Sequence, residues 1–359
     1  MDGHSDIASS GNGALHLLVT QTAAKPAPSD VMAAGAQATA VRGAYGLSAR
    51  TIFHEPWWLD IATGGNWKLA SVRDKQGQVV AEMPYSVTRN GIWEISKMPP
   101  LTRTLGPVIA DSEEGACSDW RHRYGIMKGL IAQLPECAYF HQRFDPRISD
   151  VLAVSLHGFE VSVSFTLTIE PGKLESDVWA GLRQNTRNLI RRASEQLVVR
   201  QVLDADVFGD FYDANLDRRN RGNMYGSSVM RQLVRACIVR NSGMVLGAFG
   251  PNDDLCAGIV LIWDASAMYY LLSSRTNEAH GGAISLLLWA AICDARERNL
   301  TFDFDGISNA GIFQFLSGFG GTLATRLEVT RVKTDYAAVR SMLRLAKEAS
   351  QAVVQRLKR

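Results

Sequence analysis

The sequence predicts a mixed α/β (α+β) protein made of two copies of one unit, and three observations carry that expectation. The chain has 359 residues, enough for about two domains. At 46% hydrophobic and 21% charged residues it has the balance of a globular chain. The order of periodic segments also repeats. The second half reads strand, two helices, three strands, helix, strand, helix, strand, and the first half reads as the latter part of that series.

Residues 1–48 are rich in Ala, Gly and Ser and carry Pro26 and Pro28. They are expected to be a flexible leader, since so little apolar surface cannot offset ordering entropy. From Phe53 the chain turns aromatic and periodic: a short helix over 56–62, then strands at 67–73, 78–88 and 92–97 joined by Asp74-Lys75-Gln76-Gly77 and Arg89-Asn90-Gly91. These three strands are expected to form one antiparallel meander. The Pro-rich stretch from Met98-Pro99-Pro100-Leu101 to Gly106-Pro107 reads as a loop. A helix over 117–134, strands at 138–144 and 159–169 and a short helix over 147–153 complete the first unit, 49–170.

The second unit, 171–334, opens with one helix over 174–196 and a strand over 198–203, followed by helices over 205–219 and 227–241. Strands at 243–249, 255–263 and 267–273 follow, then an apolar helix over 282–298, a strand at 300–304, a short helix over 309–318 and a strand at 324–333. Residues 335–359 are expected to form a basic terminal helix with apolar Val339, Met342, Leu343 and Leu345. It is expected to pack with its basic side in solvent, and peripheral contact with an anionic membrane is the alternative.

Composition excludes several classes. Lys+Arg 38 against Asp+Glu 36 leaves a net charge of +2, too little for non-specific duplex binding through counterion release. No run approaches the roughly 18 to 20 apolar residues of a membrane span, and no basic n-region precedes the apolar run at 15–19, so a cytoplasmic protein is expected. Five cysteines without a CxxC pair read as reduced packing residues. There is no GxSxG elbow, Walker loop or HExxH, and the seven histidines have no ligand spacing, so no metal is expected.

Four features bear chemistry. His280-Gly281-Gly282-Ala283-Ile284-Ser285 opens a helix after a strand, which suits a diphosphate over free N–H groups; the alternative is a helix start that packs closely. Tyr269-Tyr270-Leu271-Leu272-Ser273-Ser274 would be a central strand. Were its neighbour at 302–304 to diverge, a cofactor arm would enter between them and a backbone N–H would polarise an acyl carbonyl; otherwise this is an ordinary buried strand. Asp303 and Asp305 share one face at period two, as a general base or a grip on an amine, or else as a helix cap and an arginine partner. Arg183, Arg187 and Arg191, at i, i+4 and i+8, form a helix stripe for phosphate or an RNA end, or a solvated face.

Four segments in order resemble the FemAB-type branch of the GNAT acyltransferase superfamily over about 50–335: Phe53-His54-Glu55-Pro56-Trp57-Trp58-Leu59, the Pro-rich loop, Asn185-Thr186-Arg187-Asn188-Leu189-Ile190-Arg191-Arg192-Ala193, and Phe302-Asp303-Phe304-Asp305-Gly306 to Phe319-Gly320-Gly321. The resemblance implies two tandem GNAT folds, each a largely antiparallel sheet flanked by helices. It implies acyl transfer to a primary amine, from acyl-CoA (acetyl-CoA) in polysaccharide-associated relatives and from aminoacyl-tRNA in peptidoglycan-bridge enzymes. Two departures bear on the donor. Leu316 stands where those bridge enzymes carry a lysine, and Glu278 stands where the GNAT pyrophosphate loop has Arg or Gln.

The expected function is therefore N-acyl transfer from acyl-CoA to an amino sugar or a polysaccharide or cell-envelope precursor. The alternatives are an aminoacyl-tRNA-dependent ligase and a non-catalytic double-GNAT scaffold. Asp303 and Asp305 are the candidate catalytic groups. Leu272, Ser273, Gly281, Gly282 and Ala283 are the candidate cofactor contacts, and Arg187, Arg191, Tyr225 and Tyr270 the candidate substrate contacts.

Overall fold

The computed structural model describes residues 47–110 and 120–342, all inside one compact unit. Expectations for residues before 47, for Cys117 and for the terminal helix beyond 342 lie outside the described residues.

The first half runs β1 (Leu47–Ser48), α1 (Pro56–Thr63), β2 (Trp67–Arg73), β3 (Val79–Ser86), β4 (Thr88–Asn90), β5 (Trp93–Ser96), β6 (Val108–Ala110), α2 (Trp120–Ile131), β7 (Tyr139–Arg143), α3 (Leu152–Leu156) and β8 (Glu160–Ile169). The second runs α4 (Glu175–Gly181), α5 (Gln184–Ser194), β9 (Val198–Val202), α6 (Ala205–Asp217), α7 (Ser227–Val239), β10 (Gly243–Phe249), β11 (Leu255–Trp263), β12 (Ala267–Arg275), α8 (Ala283–Glu297), β13 (Thr301–Asp303), α9 (Ala310–Leu316) and β14 (Thr322–Val332). A helical segment over 334–342 follows. The leader expected through residue 48 overlaps β1, which pairs with β6.

The three-strand meander does not form. β2 and β3 pair, but β4 and β5 leave them and join a second sheet, where β5 lies parallel to β7. β6 takes the far side of β3 only at Ala81 and Glu82. Pro84 lies beyond that pairing, where a missing N–H removes no ladder bond, and its carbonyl accepts from Gln142 Nε2 at 2.7 Å. The single helix expected over 174–196 is two, because Leu182 and Arg183 adopt extended backbone. Tertiary contacts hold that break: Leu182 is buried, and the Arg183 N–H donates to the Gly318 carbonyl at 2.9 Å.

The halves exchange their last strands. The larger sheet has ten strands in the order β4-β5-β7-β14-β8-β13-β12-β11-β10-β9. β8 of the first half thus lies between β14 and β13 of the second, while β14 pairs with both β7 and β8. One apolar core packs under the first half around Met127, Leu130 and Phe140, and another under the second around Phe208, Leu233 and Ile262. Phe53, Trp58 and Leu101 belong to the second core although they come from the first half, so α1 and the Pro-rich loop clamp the two together.

Candidate functional site

A cleft of about 1000 Å³ opens where β12 and β13 part. β13 pairs with β12 only at Ala267, Met268 and Tyr269, whereas β12 continues to Arg275. On its other edge β12 stays paired with β11, with a bulge near Leu271. Thr276 N–H donates to the Cys256 carbonyl at 3.0 Å. Antiparallel alternation then turns the backbone groups of Ser274 and Leu272 toward β11, and those of Ser273 and Arg275 toward the open edge. The two strands do diverge, the condition the sequence left open, and the Ser273 N–H faces the gap.

A buried ion cluster forms one wall. Arg326 on β14 is 1% exposed; its terminal nitrogens reach Asp303 Oδ2 at 2.6 Å and Asp305 Oδ1 at 3.1 Å. Asp303 also accepts from Thr166 Oγ1 at 2.6 Å and from the Asp305 N–H at 2.8 Å. Burial disfavours the Arg326 charge, but the two carboxylates outweigh it and hold the guanidinium's pKa above its ordinary value. Asp305 lies at φ 56°, where the chain turns sharply after β13, and that turn brings its second oxygen to Arg103 Nε at 2.5 Å. Arg103 in turn donates to the carbonyl of bulged Leu271.

The Pro-rich loop is braced to present Arg103. Trp58 Nε1 donates to Thr102 Oγ1 at 2.9 Å, the Leu105 N–H to the Arg143 carbonyl at 2.8 Å, and His54 Nε2 lies 3.2 Å from the Gly106 carbonyl. A Cβ at Gly106 would overlap the Phe144 ring, so the loop approaches as closely as it does only with glycine there. Tyr212 and Tyr270 line the cleft with their hydroxyls pushed up to about 12, chiefly by burial, and so act as neutral hydrogen-bonding groups.

Of the residues singled out in the sequence, Asp305, Leu272, Ser273, Gly281, Tyr225 and Tyr270 come together in this cleft. Asp303 stands behind it, holding Arg326. Gly282 and Ala283 do not line it. A Cβ at Gly282 would overlap the Leu189 carbonyl oxygen, so this glycine lets α5 pack against the start of α8, which is the close-packing alternative.

Arg187 is also elsewhere: it donates to the carbonyls of Ala180 at 2.9 Å and Leu182 at 2.6 Å, closing the end of α4. Arg191 lies 5.5 Å over the Trp179 ring. Glu278 is exposed and does not line the cleft; Arg219, Arg275 and Gly281 do. The sequence reading missed Arg103 and Arg326. Arg326 had a signal, a cation at an inward position of an alternating strand; Arg103, in an irregular loop, had none.

Among the described residues no group of side chains is arranged to hold a metal ion, and no helix is long and apolar enough to cross a membrane. No curated protein sequence matches the chain. Residues 180–311 match the family described as Acetyltransferase (GNAT) domain. The crystal structure of FemX is similar over 80% of this chain and 94% of that one, at 12% identity and a TM-score of 0.60. The C-terminal domain of a putative lysylphosphatidylglycerol synthetase from Agrobacterium fabrum covers 80% of this chain and 89% of its own, at 13% identity and a TM-score of 0.47. A tandem GNAT protein from the clavulanic acid biosynthesis pathway covers 76% and 93%, at 12% identity and a TM-score of 0.41. Residues 180–311 are thus similar to a GNAT acetyltransferase domain, and the chain shares its fold with FemX across both halves.

Proposed function

We propose that the protein transfers an acyl group, acetyl in the simplest case, from acyl-CoA to a primary amine on an amino sugar or a polysaccharide or cell-envelope precursor in the cytoplasm. The observation that carries this reading is the open edge of β12. The Ser273 N–H there faces the gap and would donate to the oxygen of a tetrahedral intermediate. An acyl-CoA supplies the thioester carbonyl. Gly281 at the start of α8, with Arg219 and Arg275, offers backbone N–H groups and positive charge for its phosphates.

Asp305 is the carboxylate on the cleft side and would orient the acceptor ammonium and take its proton, directly or through water. The free amine attacks the acyl carbon and forms the C–N bond of the tetrahedral intermediate, whose collapse breaks the C–S bond; the thiolate leaves and is protonated as the nitrogen loses its remaining extra proton. Asp303 holds Arg326, and Arg326 and Arg103 hold Asp305. Tyr225 and Tyr270 would shape the acceptor side. In this reading the tandem units run over 49–170 and 171–334.

The fold likeness to FemX favours a second reading, an aminoacyl-tRNA donor, because the resemblance to peptidoglycan-bridge enzymes implies one. Acetyl-CoA or charged tRNA offered with a panel of amines separates the two. CoA release without RNA supports the first reading, and turnover abolished by ribonuclease supports the second. Asp305→Asn should lower kcat by about 100-fold with the fold intact; full activity in that variant would remove Asp305 from the mechanism.

A further inference from the structure

A second charged group, two of whose members line the cleft, takes no part in the chemistry proposed above. His141 and Arg143 are two apart on β7, and Glu328 on β14 is in register with Arg143, so the three share one sheet face. Arg143 Nε donates to Glu328 Oε1 at 2.7 Å, and His141 Nε2 lies 3.2 Å from the other carboxylate oxygen. Burial pushes the Glu328 carboxyl up, but Arg143, Ser164 and His141 together bring it below its ordinary value, so it stays ionised and serves as a fixed acceptor.

The Arg143 backbone is pinned as well, its N–H on Met98 Sδ at 3.4 Å and its carbonyl under the Leu105 N–H. Its two terminal nitrogens have no partner among the described residues, and the side chain lines the cleft. A guanidinium oriented through Nε with its fork left free matches a carboxylate or phosphate.

The charges of the cleft support an anionic ligand there. Five arginines line it against two carboxylates, Asp305 and Glu328. Arg326 is bound to two aspartates and Arg103 to one, while Arg219 and Arg275 also line the cleft. Glu328 is neutralised by Arg143 itself. β7 is three strands from β13 in the sheet order, a lateral separation of about 14 Å at ~4.8 Å per strand.

We infer that Arg143, positioned by Glu328, binds an anionic group of the acceptor, so that the acceptor is an amine bearing a carboxylate or phosphate roughly 8 to 14 Å from its nitrogen. The word acceptor rests on the transfer proposed above; the anion site does not.

The test is direct binding, by titration calorimetry with CoA present, of ω-amino alkyl phosphates, ω-amino carboxylates and neutral ω-amino alcohols of graded length. Wild-type protein should bind one anionic series roughly tenfold to hundredfold more tightly than the alcohol of equal length, with the preference greatest at long spacings. Whichever series shows it identifies the anion. Arg143→Gln should abolish the preference and Arg143→Lys retain part of it. Glu328→Gln should weaken anion binding, and in turnover raise the acceptor KM while leaving kcat. No preference in the wild type, or a preference that survives in Arg143→Gln, overturns the inference. Anion-dependent binding without transfer from either donor would leave this site standing and remove the proposed function. Transfer to neutral amines with no anion preference would do the reverse.

Discussion

Acidification should loosen the loop that carries Arg103, because the loop is tied to a histidine that must stay neutral. His54 is 5% exposed. Its Nδ1 accepts the Thr51 N–H at 3.2 Å, which leaves the proton on Nε2 to donate to the Gly106 carbonyl at 3.2 Å. Burial lowers its pKa from 6.5 to about 4, against the opposing pull of the Gly106 carbonyl. Between those values the unfolded chain binds the extra proton, so this stabilisation is complete above pH 6.5 and is lost as pH falls through 4. The gap corresponds to about 3 kcal/mol when protonation is complete, of which about 2 kcal/mol is lost between pH 7 and pH 5.

Urea unfolding followed by tryptophan fluorescence, at pH 7, 6 and 5, measures this directly in the wild type and in His54→Asn, which cannot titrate. The wild type should lose about 2 kcal/mol more than the variant over that range. Equal losses in the two proteins would refute the assignment of His54 as a buried neutral brace.

Arg326→Met should destabilise the fold by about 3 to 5 kcal/mol, because the buried carboxyl groups of Asp303 and Asp305 would lose the guanidinium that lies between them; a melting temperature within a degree or so of wild type would contradict this. Gly282→Ala should lower stability by about 1 to 3 kcal/mol by forcing α5 away from α8, with CoA affinity changing little if Gly282 packs and does not bind. A large loss of CoA affinity with stability unchanged would return Gly282 to the donor site.

Periodicity and turn residues were enough to place most elements. β10 and β11 match their expected bounds because each is an apolar run closed by sharp turns, at Pro251-Asn252-Asp253-Asp254 and Asp264-Ala265-Ser266. Half of the site was legible for the same reason: Asp305, Ser273 and Gly281 lie at strand and helix ends, where pattern and chemistry coincide. Local sequence misled where a tertiary partner decides. The run at 174–196 has helical character throughout, yet the Gly318 carbonyl and a buried Leu182 hold it open at 182–183. Arg187 looked like a free surface cation until the end of α4 supplied its acceptors.

The sequence by itself pointed to most of the elements and to the acids at the end of β13, since each depends on residues close together in the chain. Only the tertiary structure decided the exchange of β8 and β14, which brings Arg143, Arg326 and Glu328 to the cleft beside Asp305. Strand partnership between distant segments is set by which apolar faces and charges can be buried together, a property of the assembled sheet that no window of the sequence contains.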